Sequence, residues 1–276
     1  MKLGPPEAET LAYLADLGWT EIYAPRSGAV ASVPGSRANP DVPQRLERPV
    51  EVAPRIPSST APAGAPADPP PPRAATDAAE SRARLAALAQ TASSCRLCKL
   101  CETRNQVVFA SGDPTARLML VGEGPGAEED KQGVPFVGKA GELLNKILEA
   151  IGMRREEVYV ANVVKCRPPG NREPQPDEVA SCRSYLEAQI DLVRPAIIVA
   201  LGRVAAQSLL GSDSSLTRMR GDWHGVRGIP VRVTYHPAAL LRNAAYKRPT
   251  WEDMQLVRDR LAELAGGSGP STEEKT

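Results

Sequence analysis

The chain has 276 residues, is 42% apolar and carries a formal charge of +1. That is enough apolar material for a core, while 27 prolines and an aromatic content of only 4% indicate that part of the chain is not packed. The near-neutral total excludes a polycation, so any nucleic-acid surface must be a local patch.

The first residues, "MKLGPPEAETLAYLADLGW", lack an apolar region long enough for a secretory signal. No stretch of the sequence approaches the roughly 20 apolar residues that span a bilayer. The expectation is a cytoplasmic protein without a membrane partner, in which five cysteines serve as ligands or thiols rather than disulfides. Leu11, Leu14, Ala15 and Leu17 or Trp19 recur at helical spacing, with Gly18 as a stop, predicting a helical segment within residues 1–24. It either packs on the main domain, the simpler reading, or docks a protein partner. Residues 33–73 hold twelve prolines and no apolar period, so 25–78 reads as a disordered Pro/Ala-rich linker and 267–276 as a disordered tail.

From residue 79 the pattern changes. "AESRARLAALAQTA" is a good helix, and after it come four apolar runs at 117–122, 158–164, 196–202 and 229–236. The stretches "KAGELLNKILEAIG", "PDEVASCRSYLEAQIDLV" and "RVAAQSLLG" read as helices between the runs, and "TWEDMQLVRDRLAELA" as one after them. Alternating strands and helices predict parallel strands with right-handed crossovers, buried on both faces. The expected fold over 79–266 is α/β, a three-layer sandwich around a central, mostly parallel four-stranded sheet. In such sheets ligands bind at the carboxyl ends of the strands. The residues to inspect are therefore 122–126, 162–167, 202–203 and those from His236 onward.

"GEGPGA" at 122–127 formally matches a dinucleotide fingerprint. Pro125 sits inside the turn and Glu128, Glu129 and Asp130 would repel a pyrophosphate, so that reading is rejected. His236 ends a strand and opens "HPAALLR", whereas His224 in "GDWHGVRG" reads as a structural loop residue. Asn162 is an amide in an apolar strand, costly unless its polar atoms are met by protein or ligand. Phe136, one of two phenylalanines, suits core packing or base stacking. Cys95 and Cys98 form a C-x-x-C pair, and Cys166 and Cys182 stand far along the chain. This spacing does not give two zinc-ribbon knuckles; it fits a site closed by tertiary structure, holding either an iron-sulfur cluster or zinc.

The set formed by C-x-x-C at 95 and 98, "GEGPGAEEDKQGVPFVGKAGELL", "VYVANVVKCRPP", Cys182 and "HPAALLR" closely resembles the family 4 uracil-DNA glycosylases, from about Ser93 to Leu264. The resemblance implies a uracil-DNA glycosylase-like fold and a four-iron, four-sulfur (4Fe-4S) cluster held by Cys95, Cys98, Cys166 and Cys182. It implies an enzyme that flips uracil from single- or double-stranded DNA and hydrolyses its N-glycosidic bond, leaving an abasic site for base-excision repair. Glu123 and Gly124 would line the base pocket, and are assigned to positioning the attacking water. Glu129 would stand near uracil C5, Phe136 would stack on the base, Asn162 would read its edge, and His236 would face O2. Cys101 is left without a role in a four-ligand set.

For DNA contact, Arg96, Lys99, Lys165, Arg167 and Arg172 flank the cysteines, Arg218, Arg220 and Arg242 flank the last strand, and Leu240 and Leu241 could enter the space left by the flipped base. A monomer is expected. Two alternatives are a superfamily member that traps uracil-DNA covalently and a non-catalytic DNA-binding module. The trapping group carries a basic, histidine-containing insertion, which "EEDKQGVPF" lacks.

Overall fold

The computed structural model describes residues 75–266, so the segment expected within 1–24, nearly all of the linker and the tail at 267–276 lie outside the described residues. Helix α1, Ala75–Ser93, starts four residues ahead of the expected boundary, with Asp77 in its first turn where the helix dipole favours a carboxylate.

The remaining elements follow in the expected alternation: β1 Ser111–Gly112, β2 Leu118–Gly122, α2 Ala127–Gln132, α3 Lys139–Ala150, β3 Tyr159–Asn162, α4 Pro176–Val193, β4 Ile197–Leu201, α5 Arg203–Leu210, α6 Leu216–Met219, β5 Trp223–Val226, β6 Ile229–Thr234, α7 Pro237–Arg242 and α8 Lys247–Glu263. The sheet order is β1-β3-β2-β4-β6-β5. Its four inner strands are parallel and are the four apolar runs. Two antiparallel edge strands, β1 and β5, enlarge the expected four-stranded sheet to six. With two residues, β1 is too short to show a period. Strand β5 is half-buried and pairs with β6 across a two-residue turn, where Arg227 and Gly228 both have left-handed backbone angles (φ 53° and 78°).

Side chains along β2 alternate between the two layers. Met119 and Val121 pack in the cluster that includes residues of α1, α4 and α5, while Leu118 and Leu120 pack in the one with α3 and α8. Burial on both faces explains why these strands are continuous apolar runs. The sheet also brings Gly122 of β2 opposite Asn162 of β3, so two of the singled-out residues become neighbours at one carboxyl edge.

Candidate active site and thiol pocket

Asn162 ends β3 and is only 1% exposed, yet its Oδ1 has no hydrogen-bond partner among the described residues. A buried acceptor left unmet is costly, which marks it as a group waiting for a ligand. Gly122 makes the arrangement possible: a Cβ there would lie 2.4 Å from Asn162 Oδ1 and 2.6 Å from Phe136 Cζ. Phe136 itself takes a left-handed backbone angle, φ 56°, rare for an aromatic residue, and its ring is buried. Gly141 of α3 accommodates that bend, since a Cβ at Gly141 would fall 1.9 Å from the Phe136 carbonyl oxygen.

His236 follows β6 and caps α7. Its ring stacks near Phe136, with centroids 5.4 Å apart and planes at 30°. The Ala238 N–H donates to Nδ1 at 3.1 Å, which leaves the proton of a neutral imidazole on Nε2. Burial above all, then the Arg242 guanidinium, lowers its pKa to about 4, against an opposing pull from Glu129. The ring is therefore neutral at physiological pH and presents Nε2–H as a donor.

Glu123 is half-buried, and burial followed by the neighbouring Glu173 raises its carboxyl above the ordinary range, with Arg203 partly offsetting this. At Gly124 a Cβ would meet Val164 Cγ2 at 2.7 Å, so the turn lies tight against the continuation of β3. Both oxygens of Glu129, the residue expected near uracil C5, are engaged by backbone N–H groups. Its Oε2 accepts from Gly126 N–H (3.1 Å) and its Oε1 from Val137 and Gly138 N–H (3.0 and 3.1 Å). It is a clasp between the glycine turn and the loop carrying Phe136.

The expected DNA contacts divide. Leu241 is 52% exposed, but Leu240 is 1% exposed and packs in the core, which removes it as a wedge. Arg242, Arg96, Lys99 and Arg218 are exposed, and Arg167 is half-buried with Nε donating to Asn171 Oδ1 at 2.7 Å. Three cations leave the expected basic face. Lys165 is 2% exposed. Arg220 is paired with the buried Asp253, and Arg172 is held bidentately by Glu178. His224 accords with its structural reading, sitting in β5 with Nε2 against the Met219 carbonyl at 2.7 Å.

The four distant cysteines do meet. Cys95, Cys98, Cys166 and Cys182 line one narrow pocket, together with Cys101, Arg104, Lys165 and Tyr185. Cys101 thus faces the same space as the others, although its sequence position gave it no role. All five are free thiols. Burial pushes the Cys166 thiol up to about 11 despite Arg104 beside it, and also raises Cys182 and Cys98. N–H donors nevertheless point at the sulfurs: Arg104 Nη1 to Cys166 Sγ at 3.2 Å and the Lys165 amide to Cys182 Sγ at 3.3 Å. Arg104 Nη2 also donates to the Cys95 carbonyl at 2.8 Å, tying the C-x-x-C turn to the loop after β3. Buried thiols supplied with donors suit a bound metal group, which would deprotonate them and use those donors to hold the charge. Among the described residues, no three His, Cys, Asp or Glu side chains form a group able to hold a single metal ion. Arg104 was not foreseen, because one arginine in "CETRNQ" carries no spacing signal.

The family model described as the uracil DNA glycosylase superfamily matches residues 109–255. A type-4 uracil-DNA glycosylase of Thermotoga maritima is 48% identical over 161 residues, covering 56% of this chain and 83% of that protein. One of Archaeoglobus fulgidus is 41% identical over 178 residues, 62% of this chain and 87% of that protein. A type-5 uracil-DNA glycosylase of Pyrobaculum aerophilum is more distant, 34% identical over 173 residues, 56% of this chain and 75% of that protein.

Proposed function

The chain belongs to the type-4 branch of the uracil-DNA glycosylase superfamily and is a uracil-DNA glycosylase of base-excision repair, and from that premise we propose how its own residues select and release the base. One observation carries the assignment: the buried, unpartnered Asn162 Oδ1 beside the Phe136 ring. Uracil leaves the stack at a cost of a few kcal/mol and enters this pocket. Asn162 accepts from N3–H and donates to O4 while Phe136 covers the base. Cytosine presents the opposite pattern at these atoms, leaving unpaired buried groups at about 1–3 kcal/mol each.

As the glycosidic bond breaks, its electron pair passes to uracil N1 and spreads to O2, and the sugar C1′ becomes electron-poor. The neutral His236, with its proton on Nε2, donates to O2 and stabilises the departing anion. Water adds to C1′ and gives up a proton, completing an abasic site and free uracil. Glu123 and the Gly124 backbone position that water; the raised pKa of Glu123 brings it nearer to that of an effective base at neutral pH. Glu129 acts indirectly, by holding the two loops that shape the pocket. Leu241 enters the space the base vacates, and Arg242, Arg167, Arg96 and Lys99 meet phosphates.

Cys95, Cys98, Cys166 and Cys182 hold a four-iron, four-sulfur cluster in the thiol pocket, a reading supported by the donor set around them. When bound, the cluster supplies metal-thiolate bonds that cross-link the C-x-x-C turn to the loop after β3 and to α4. The catalytic unit begins with α1 and runs through residues 75–266, acting as a monomer on single- or double-stranded uracil-containing DNA. No helix among the described residues is long and apolar enough to cross a membrane, and the cytoplasm is the proposed location.

An oligonucleotide carrying one uracil tests the scheme. Free uracil should be released, and His236→Ala should slow release by roughly 100- to 1000-fold. Tight binding of that DNA without base release would overturn the catalytic roles. Iron and acid-labile sulfide assays on anaerobically purified protein test the cluster, and stoichiometric zinc without sulfide would overturn it.

A further inference from the structure

Lys165 was expected on the surface and is instead 2% exposed, one of the largest fully buried side chains in the protein. Its ammonium donates to the Asn162 carbonyl oxygen at 2.7 Å and to Gln189 Oε1 at 2.5 Å. No carboxylate pairs with it among the described residues, although the Phe109 ring lies 5.8 Å away. Burial dominates its electrostatics and the nearby Cys182 thiol offsets it only in part, so the cation is expensive, and an apolar side chain of similar length would fill this space at lower cost. Its presence calls for a reason other than stability.

That reason lies in where its hydrogen bonds go. The peptide group joining Asn162 to Val163 is held from both ends: its carbonyl by Lys165 Nζ, and its N–H by the Gly122 carbonyl at 2.9 Å. Because Oδ1 of Asn162 has no protein partner, the backbone and local packing must aim that side chain. Gln189 on α4 is itself fixed, with Nε2 donating to the Phe109 carbonyl at 3.0 Å and to the Tyr159 hydroxyl at 3.2 Å. The clamp is therefore anchored on both the helix that carries Cys182 and the strand that carries Asn162.

We infer that Lys165 is a positioning residue for uracil recognition, its ammonium locking the Asn162–Val163 peptide so that the Asn162 amide meets the base edge. This rests on the base-reading role proposed for Asn162. Displacement of a recognition group by a fraction of an ångström to 1 Å reduces rate by up to about 100-fold, so Lys165→Met, which keeps the chain length and removes the charge, should lower kcat/KM by roughly 10- to 100-fold. Free uracil, measured by calorimetry as a ligand and as a product inhibitor, should bind roughly tenfold or more weakly, the same loss carried into the ground state. Gln189→Met removes the second acceptor of the clamp from the α4 side and should weaken uracil binding in the same direction by a smaller factor. It also keeps the test available if Lys165→Met does not fold.

Asn162→Ala, measured in parallel, separates the two layers of the argument. Weaker uracil binding in all three variants supports the clamp. Unchanged uracil affinity in Asn162→Ala would overturn the base-reading role itself. Weakening in Asn162→Ala with unchanged affinity in Lys165→Met and Gln189→Met would overturn the clamp alone. Loss of iron and sulfide from Lys165→Met with unchanged uracil affinity would assign the ammonium to the thiol pocket and also overturn it.

Discussion

Four positions separate Asn162 from Cys166, yet the pockets they serve are satisfied in opposite senses. In the base pocket the polar groups are left open: Asn162 Oδ1 lacks a partner, and His236 spends Nδ1 on its own helix so that Nε2–H remains free for another acceptor. In the thiol pocket four sulfurs receive donors from the protein: Cys166 from Arg104, Cys182 from the Lys165 amide, Cys98 from the Leu100 amide and Cys95 from the Tyr185 hydroxyl. An open set suits a ligand that comes and goes, because its transient hydrogen bonds complete the site. A closed set suits a resident group, whose charge must be held permanently.

The contrast is broken most severely at Asn162. Asn162→Ala removes an orphaned buried amide, so excision should fall by roughly 100- to 1000-fold, while stability should stay level or rise by about 1 kcal/mol. Uracil release and a denaturation curve on the same preparation check this. A parallel fall in stability would mean that the amide has a protein partner in solution and that the pocket is not open. Gly122→Ala tests the space instead of the chemistry. The new methyl would collide with Asn162 Oδ1 and Phe136, and relieving an overpacked contact costs about 1–3 kcal/mol. Excision should drop roughly 10- to 100-fold, because misaligned reacting groups lose rate steeply.

At the other pocket, Arg104→Met removes the donor to Cys166 and to the Cys95 carbonyl together. Loss of a partner behind a metal ligand lowers metal affinity by about 10- to 100-fold, so iron retention under chelator challenge should fall by that order and stability with it. Stability and metal content moving together, where Asn162→Ala moves excision alone, is the expected signature of a closed set.

The strands made the base pocket legible in the sequence. Asn162 lies in the run at 158–164 and His236 closes the last one, and a parallel sheet brings the carboxyl ends of such strands to one edge. The thiol pocket was legible only as four cysteines, since nothing in a linear spacing shows which donors will face the sulfurs. Helical phase hid a further part. Neighbouring residues on a helix point about a third of a turn apart, so Leu240 faces the core and Leu241 faces solvent, and the pair "LL" does not say which. Lys165 escaped for a related reason: a lysine directly after an extended run is ordinarily solvated, and only the turn toward α4 buries it. The edge strands escaped because one is two residues long and the other is half-buried.

A smaller effect concerns pH. The folded His236 has a pKa of about 4 against an ordinary value of 6.5, so between these values the unfolded chain binds a proton that the folded one refuses. The stability associated with the neutral ring is complete above pH 6.5, declines as pH falls toward 4, and levels below it, a total of about 3 kcal/mol. His236→Gln should remove that slope, which unfolding curves at several pH values would show. A slope of equal size in the variant would place the titration elsewhere.

The smallest expected effect sharpens the closed set itself. Cys101 lines the thiol pocket with the other four, so proximity alone does not explain why four ligands should suffice. Its turn does. Cys98 precedes the 3-10 helix Lys99–Glu102, and the Cys101 N–H donates to the Cys98 carbonyl at 3.2 Å, so Cys101 is carried within that tight turn. Among the described residues no donor meets its sulfur, whereas Arg104 meets Cys166, the Lys165 amide Cys182, the Leu100 amide Cys98 and the Tyr185 hydroxyl Cys95. Cys101→Ala should therefore keep iron and sulfide per chain at the wild-type level and leave excision unchanged. Loss of metal comparable to that of Cys98→Ala would make Cys101 a ligand and would show that donors toward sulfur do not identify the resident set.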